Sequence, residues 1–185
     1  DLTEMERLAE LLIKENLNIT WGGMARARAD MSDGLLHKLK KAGCAYLTFG
    51  IESGSNKILK FMGKPVTNEV KIALKKTHKA GIKVNTLWMV GHPRESFFDI
   101  LKTILFLLRN RKSIDEFVSV SPCYIPKNSL LYKQAENLQI CYDYQGNWYI
   151  EKEKNTYRRR QQMASLLRLS ARILGLYTGG IRSDY

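Results

Sequence analysis

Glu52 is the residue whose position most calls for a chemical explanation. It closes the apolar run Tyr46–Glu52 (YLTFGIE). A carboxylate at the end of a buried strand needs a partner, because burying it alone is costly. Arg26 and Lys64 are candidate partners, and so are the two hydroxyls of a sugar. The plainer alternative is a local ion pair or a cap for the next helix. Gly54 and Ser55 follow at once and open a helix, where free N–H groups can receive an anion. Arg26 and Arg28 follow Trp21-Gly22-Gly23, and His92 and Pro93 follow Gly91. Ser121, Cys123, Tyr124 and Pro126 lie at the end of another apolar run. Polar and glycine residues thus gather where strands would end, which is where parallel α/β folds bind ligands.

The cysteines point away from metal chemistry in this chain. Cys44, Cys123 and Cys141 stand far apart. Their spacing fits no metal clip, and an odd, scattered set argues against a disulfide framework. A reducing, cytosolic compartment fits them best. None of the three is a candidate ligand.

The elements that must position these residues follow from the hydrophobic pattern. Leu2 to Glu15 reads as a helix with Leu2, Met5, Leu8, Leu11 and Leu12 on one stripe. Four strands are expected at Asn18–Gly23, Tyr46–Glu52, Lys83–Gly91 and Glu116–Ile125. Helices are expected between them. Ser32 to Ala42 is capped by Ser32 and stopped by Gly43. A short helix spans Ser55 to Met62 and a longer one Thr67 to Lys79. Ser96 to Asn110 opens with Ser96 and Asp99 in a capping box. Such alternation requires crossovers and a parallel sheet, and the mostly apolar strands imply cover on both faces. Four units are too few for an eight-stranded barrel. The fold class is therefore α/β, a partial (βα) TIM-like barrel of about four parallel strands, with a C-terminal helical extension.

Residues 1–137 form that barrel portion, and 138–185 form the extension. Ser129 to Glu136, a short helix, ends the barrel portion, and the extension opens with a loop or hairpin around Gln145-Gly146-Asn147. A basic helix then runs from Thr156 to Leu174, ended by Gly175. Its apolar face carries Met163, Leu166, Leu167, Leu169, Ile173 and Leu174 and packs on the body. Arginines 158, 159, 160, 168 and 172 lie mostly elsewhere. Thr178 to Tyr185 reads as a tail. The net charge of +12 would attract phosphate, nucleic acid or anionic membranes, with plain solvation of helices as the alternative. No apolar stretch approaches the ~20 residues of a membrane span.

Several motifs in series resemble the radical S-adenosylmethionine enzymes. They are Ala42-Gly43-Cys44, Phe49-Gly50-Ile51-Glu52-Ser53-Gly54-Ser55, Ile58-Leu59, Met62 and Lys64. Trp21-Gly22-Gly23 with Arg26 precedes them, and Val90-Gly91-His92-Pro93-Arg94-Glu95-Ser96 follows. Tyr124-Ile125-Pro126 with Leu131-Tyr132 resembles the sixth-strand ending. The likeness covers Leu2 to Tyr132 and is strongest to the group with a cobalamin-binding domain, which includes the anaerobic magnesium-protoporphyrin ester cyclase.

The resemblance implies roles. Glu52, with Ser53 beside it, would bond the ribose of S-adenosylmethionine. Lys64 would reach the cofactor's carboxylate and Arg26 its methionine moiety, with Arg28 a rival. Val90, Gly91 and Pro93 would lie along the adenine. His92 could touch substrate, although a surface turn is the simpler place for it, and Tyr124 is a second candidate. Arg94, where the family often has glycine, implies a turn without positive φ.

The family's C-x3-C-x2-C triplet, which holds a [4Fe-4S] cluster, is absent from this chain. By resemblance the chain opens in the helix after the second strand, so the N-terminal part of the barrel is an implied partner. The parent enzyme would cleave S-adenosylmethionine to a 5′-deoxyadenosyl radical, or perform cobalamin-assisted methyl transfer or cyclisation on a small molecule. This chain would be inactive alone. A basic RNA-binding or RNA-modifying module and a non-catalytic remnant are the alternatives. The first strand would be an open edge, which implies either a homodimer or cover by the C-terminal helix.

Overall fold

The computed structural model describes residues 1–150 and 155–176. The expected tail, Thr178 to Tyr185, lies outside them. In chain order the elements are α1 (Leu2–Lys14), β1 (Trp21–Ala25), α2 (Asp33–Lys41), β2 (Cys44–Glu52), α3 (Asn56–Phe61), α4 (Thr67–Lys79), β3 (Lys83–Val90) and α5 (Phe97–Asn110). Then come β4 (Glu116–Pro122), α6 (Leu130–Lys133), β5 (Ile140–Tyr142), β6 (Trp148–Ile150) and α7 (Tyr157–Ile173). The four long strands form one sheet in the order β1-β2-β3-β4, with every pair parallel. β5 and β6 make the expected hairpin.

Local chemistry sets the helix starts. The Ser32 hydroxyl accepts from the N–H of Leu35 at 3.0 Å. Ser96 and Asp99 form the reciprocal capping box of α5. Both satisfy donors that a helix leaves orphaned in its first turn.

The sheet is covered on one face, not two. In β2, Cys44, Leu47, Phe49 and Ile51 are buried, while Tyr46, Thr48, Gly50 and Glu52 between them are only partly so. β3 repeats the alternation: Val84, Thr86, Trp88 and Val90 are buried, and Asn85, Leu87 and Met89 are partly exposed. The buried set joins Leu35, Leu36 and Leu39 of α2, Val70, Ala73 and Leu74 of α4 and Ile100 of α5 in one core. Trp88 anchors it, stacked 5.9 Å from Phe117, with its indole N–H on the Thr86 hydroxyl at 2.9 Å. The expectation of cover on both faces fails because Thr48, Gly50, Leu87 and Met89 read as core residues by type, yet they line the inner wall of a partial barrel.

The C-terminal helix covers an edge, but not the expected one. Among the described residues, α7 packs on β4, β3 and α5. Leu176 accepts from the Phe117 N–H of β4 at 2.8 Å. β1 lies at the other side of the sheet. The buried stripe of α7 is Arg160, Ala164, Leu167 and Ala171. Leu169 and Ile173, expected on the packed face, are exposed, and Arg160, expected outside, is 1% exposed.

Candidate ligand site at the strand ends

The inner wall opens at the C-terminal ends of the strands into a cavity of about 330 Å³. Arg26, Gly50, Glu52, Met62, Gly63, Lys64 and Leu87 are among its lining residues. Glu52 and Lys64, distant in sequence, meet there: Lys64 Nζ donates to Glu52 Oε1 at 3.0 Å and to the Gly50 carbonyl at 3.3 Å. Arg26 reaches the same cavity and donates to the carbonyl of Gly63. Its rival Arg28 turns away into an exposed pair with Asp30.

The backbone is shaped around the carboxylate. The β2–β3 register shifts between Gly50 and Glu52, and Glu52 sits at φ +70°. A left-handed conformation in a residue with a Cβ costs about 1–3 kcal/mol and persists only where its surroundings enforce it. The bulge and this φ together aim the side chain along the inner wall. Gly50 completes the cradle: a Cβ there would stand 2.8 Å from Glu52 Oε1 and 3.4 Å from Lys64 Nζ. Oε2 of Glu52 accepts no hydrogen bond from the described residues.

A second cavity of about 320 Å³ shares Glu52 and Leu87 with the first. Met89, Ser119, Ser121 and Tyr124 continue its wall. Tyr124 is exposed.

The remaining expected residues behave differently. Ser53 is buried, and its hydroxyl accepts from the Ser55 N–H at 3.1 Å and lies 3.4 Å from that of Thr103. It fixes the turn and does not face the cavity. Gly54 N–H is spent on Thr103 Oγ1 at 2.9 Å, so the helix start there is no anion site. Val90 and Pro93 are buried at the β3 end. Gly91 takes φ +81°, and Arg94 avoids positive φ as expected. His92 is neither a surface residue nor a cavity residue. It is 3% exposed and stacked on Phe61 at 6.1 Å. Burial pushes its pKa down to about 4, with Arg94 and Lys57 adding to the effect.

Sequence reasoning passed over Glu95. Its carboxylate accepts from the Gly91 N–H, and burial pushes its pKa up to about 7 against that hydrogen bond. A lone acid three residues beyond His92 carries no periodic signal, so only the turn geometry reveals it.

Cys44 and Cys123 are buried thiols and do not fit an iron–sulfur cluster. Burial pushes the Cys44 thiol up to about 11 and the Cys123 thiol up to about 12, whereas cluster ligation needs thiolates. Among the described residues no group of three or more His, Cys, Asp and Glu side chains is placed to hold a metal ion. No helix among them is long and apolar enough to cross a membrane.

Comparison with known proteins places this architecture. The Radical SAM superfamily model matches residues 1–107, and the chain belongs to that superfamily. It is 30% identical over 128 residues to an uncharacterised methyltransferase of Pyrococcus horikoshii, covering 69% of this chain and 28% of that protein. It is 33% identical over 119 residues to a Methanocaldococcus jannaschii protein with a provisional methylthiotransferase name, covering 63% of this chain and 25% of that one. The chain thus spans about a quarter of either relative's length. Two solved structures share the fold. The Escherichia coli coproporphyrinogen III oxidase HemN, a radical SAM enzyme, superposes with a TM-score of 0.53 at 13% identity, covering 83% of this chain and 46% of that one. Elp3 of Methanocaldococcus infernus gives 0.53 at 18% identity, covering 89% and 44%. The four-stranded sheet with its helices is a partial barrel of this superfamily.

Proposed function

We propose that this chain forms one wall of an S-adenosylmethionine site in a radical SAM enzyme that transfers a methyl or methylthio group. The observation that carries the reading is the Glu52–Lys64 pair at the mouth of the inner wall, set by a bulge and a left-handed Glu52. A carboxylate with an unengaged oxygen suits the vicinal hydroxyls of a ribose. The ammonium of Lys64 and the guanidinium of Arg26 suit the carboxylate at the other end of the ligand. Leu87, which lines both cavities, would supply an apolar surface for an adenine, whereas Val90, Gly91 and Pro93 are buried and line neither. Met89, Ser119, Ser121 and Tyr124 would meet the acceptor substrate. When bound, S-adenosylmethionine supplies the transferable group and, on one-electron reduction, the radical chemistry of the superfamily. The described residues bind and orient it but hold no cluster, so the four-iron centre has to come from outside them.

The relatives' names speak for group transfer. Nothing in the comparisons speaks for cobalamin or for the cyclase branch, and neither enters this reading. An RNA substrate is not favoured by any observation at the inner wall, where the second cavity is lined by no basic side chain. The basic groups at the inner wall, Arg26 and Lys64, line the first cavity.

Calorimetric titration of the chain with S-adenosylmethionine tests the proposal. Saturable one-to-one binding is expected, weakened on the order of tenfold or more by Lys64→Met, since a hydrogen bond to a charged group contributes about 1.5–3 kcal/mol. Absence of binding, or equal binding by the variant, would refute it.

A further inference from the structure

The outer layer of the fold carries apolar surface that no other described element covers. α5 is apolar on two sides. Ile100, Phe106 and Leu107 enter the core. Phe97, Phe98, Leu101, Leu105 and Leu108 are exposed. Phe97, Leu101, Leu105 and Leu108 recur at intervals of four, four and three, so they form one stripe along the helix. A helix that is apolar all round is normally buried all round, yet α5 is buried on one side only.

α7 repeats the arrangement. Its buried stripe of Ala164, Leu167 and Ala171 joins the core. Leu166, Leu169 and Ile173 recur at intervals of three and four, and they are exposed. α7 packs against α5, so the two outward stripes lie on neighbouring helices of one layer. Single apolar side chains at a surface need no explanation, but apolar stripes on two adjacent helices do.

The charges beside these stripes have one sign. Apart from the apolar residues, the exposed positions of α5 are Lys102 and Arg109. Those of α7 include Arg158, Arg159 and Arg172, and α7 contains no Asp or Glu. The one acid of α5, Asp99, is buried and engaged by Lys57 at 2.5 Å and Lys102 at 3.6 Å. The outward faces of both helices thus present Phe, Leu and Ile bordered by cations alone. A protein partner does not call for that border, because charge is depleted at the apolar centre of protein interfaces. RNA held through its phosphates does not call for exposed leucines. An anionic bilayer matches both features: its acyl boundary takes the apolar stripes and its headgroups meet the cations.

We propose that the outward face of α5 and α7 docks on an anionic lipid bilayer, with both helices lying in the plane of the membrane surface. The chain rests on the membrane and does not cross it, in keeping with the lengths of the described helices. Phe98 and Ile173, 72% and 78% exposed, enter the acyl boundary. Lys102, Arg109, Arg158 and Arg159 reach the headgroups along their flexible stems.

Sedimentation of the whole 185-residue chain with vesicles tests this. One set is phosphatidylcholine alone, and the other is equimolar phosphatidylcholine and phosphatidylglycerol. Binding to the mixed vesicles is expected, with far less to the neutral ones and a decline as salt is raised. Phe98→Ser with Ile173→Ser should weaken it on the order of tenfold or more, because the apolar contact is lost. Arg158→Gln with Arg159→Gln should also weaken it on the order of tenfold. Lys71→Gln with Lys75→Gln removes the same charge from exposed positions of α4, which packs on α2 and β3, and should leave binding within twofold. All six positions are exposed, so melting temperatures should stay near that of wild type.

No binding to the mixed vesicles, or undiminished binding by the serine pair, would overturn the proposal. An equal loss in the lysine and arginine pairs would reduce it to general charge and overturn it too. A dimer in solution that the serine pair dissolves, without vesicle binding, would give the face to a second copy. Binding of polyuridylate that the arginine pair abolishes, again without vesicle binding, would give it to RNA. Either result overturns the membrane assignment. Should the serine pair fail to fold, the contrast between the arginine and lysine pairs decides.

Discussion

Replacing Glu95 by glutamine should change how stability depends on pH, in a direction fixed by burial. The carboxyl has an ordinary pKa near 4.5 and is pushed to about 7 in the folded chain, first by burial. Asp99 adds to the rise, while the Gly91 N–H, a second backbone bond from His92 and the charge of Lys57 oppose it. A carboxyl with a raised folded pKa binds its proton more tightly folded than unfolded. Its favourable contribution is complete below the unfolded pKa and is lost as pH rises through 4.5 towards 7. The full difference is about 3 kcal/mol, of which about 2.5 kcal/mol falls between pH 5 and pH 8. Urea unfolding of wild type and Glu95→Gln across that range isolates it, since all other titrations are common to both. The variant should gain stability relative to wild type by about 2–3 kcal/mol on going from pH 5 to pH 8. Parallel curves, or a relative loss, would refute the assignment of Glu95 as a carboxyl strained by burial.

Further outcomes follow from the same geometry. His92 has its folded pKa lowered to about 4, so its contribution is present above pH 6.5 and is lost as pH falls towards 4. Glu95→Gln should therefore unmask acid destabilisation in that window, and His92→Phe should remove it. Gly50→Ala crowds only the mobile ends of Glu52 and Lys64. It should cost less than ~1 kcal/mol of stability yet weaken S-adenosylmethionine on the order of tenfold in the same calorimetry. Gly54→Ala is the contrast, because its Cβ would stand 2.6 Å from the Thr103 Cα and 2.9 Å from the Lys102 carbonyl. It should cost roughly 1–3 kcal/mol in denaturant unfolding. Thiol labelling near pH 8 should modify the half-buried Cys141 first, and Cys44 and Cys123 only as the chain unfolds; prompt labelling of all three would contradict their burial.

Much of the scaffold was legible because the strands are apolar runs between glycine and helix-cap residues. Ser32, Ser96 with Asp99, and the Gln145-Gly146-Asn147 turn lie where local chemistry puts them. Glu52 was legible because a carboxylate ending such a run must be satisfied. What stayed hidden depends on tertiary context. Leu87 and Met89 look like core by type, and they are exposed because they alternate with the buried residues of β3 and lie on the face that no helix covers. Arg160 sits among arginines that are solvated, and its burial follows from where α7 lands. His92 vanished into the core because Phe61 and the β3 turn close over it, which no periodicity records. The edge of β1 remains uncovered among the described residues, and homodimerisation or pairing with a further barrel segment through it is our proposal for solution study.

Adenosine and its 2′,3′-dideoxy analogue, titrated into wild type and Glu52→Gln, ask whether the YLTFGIE carboxylate meets a ribose. Wild type should favour adenosine on the order of tenfold or more, and the glutamine variant should lose most of that preference. Equal affinity of the wild-type chain for both nucleosides would contradict the account.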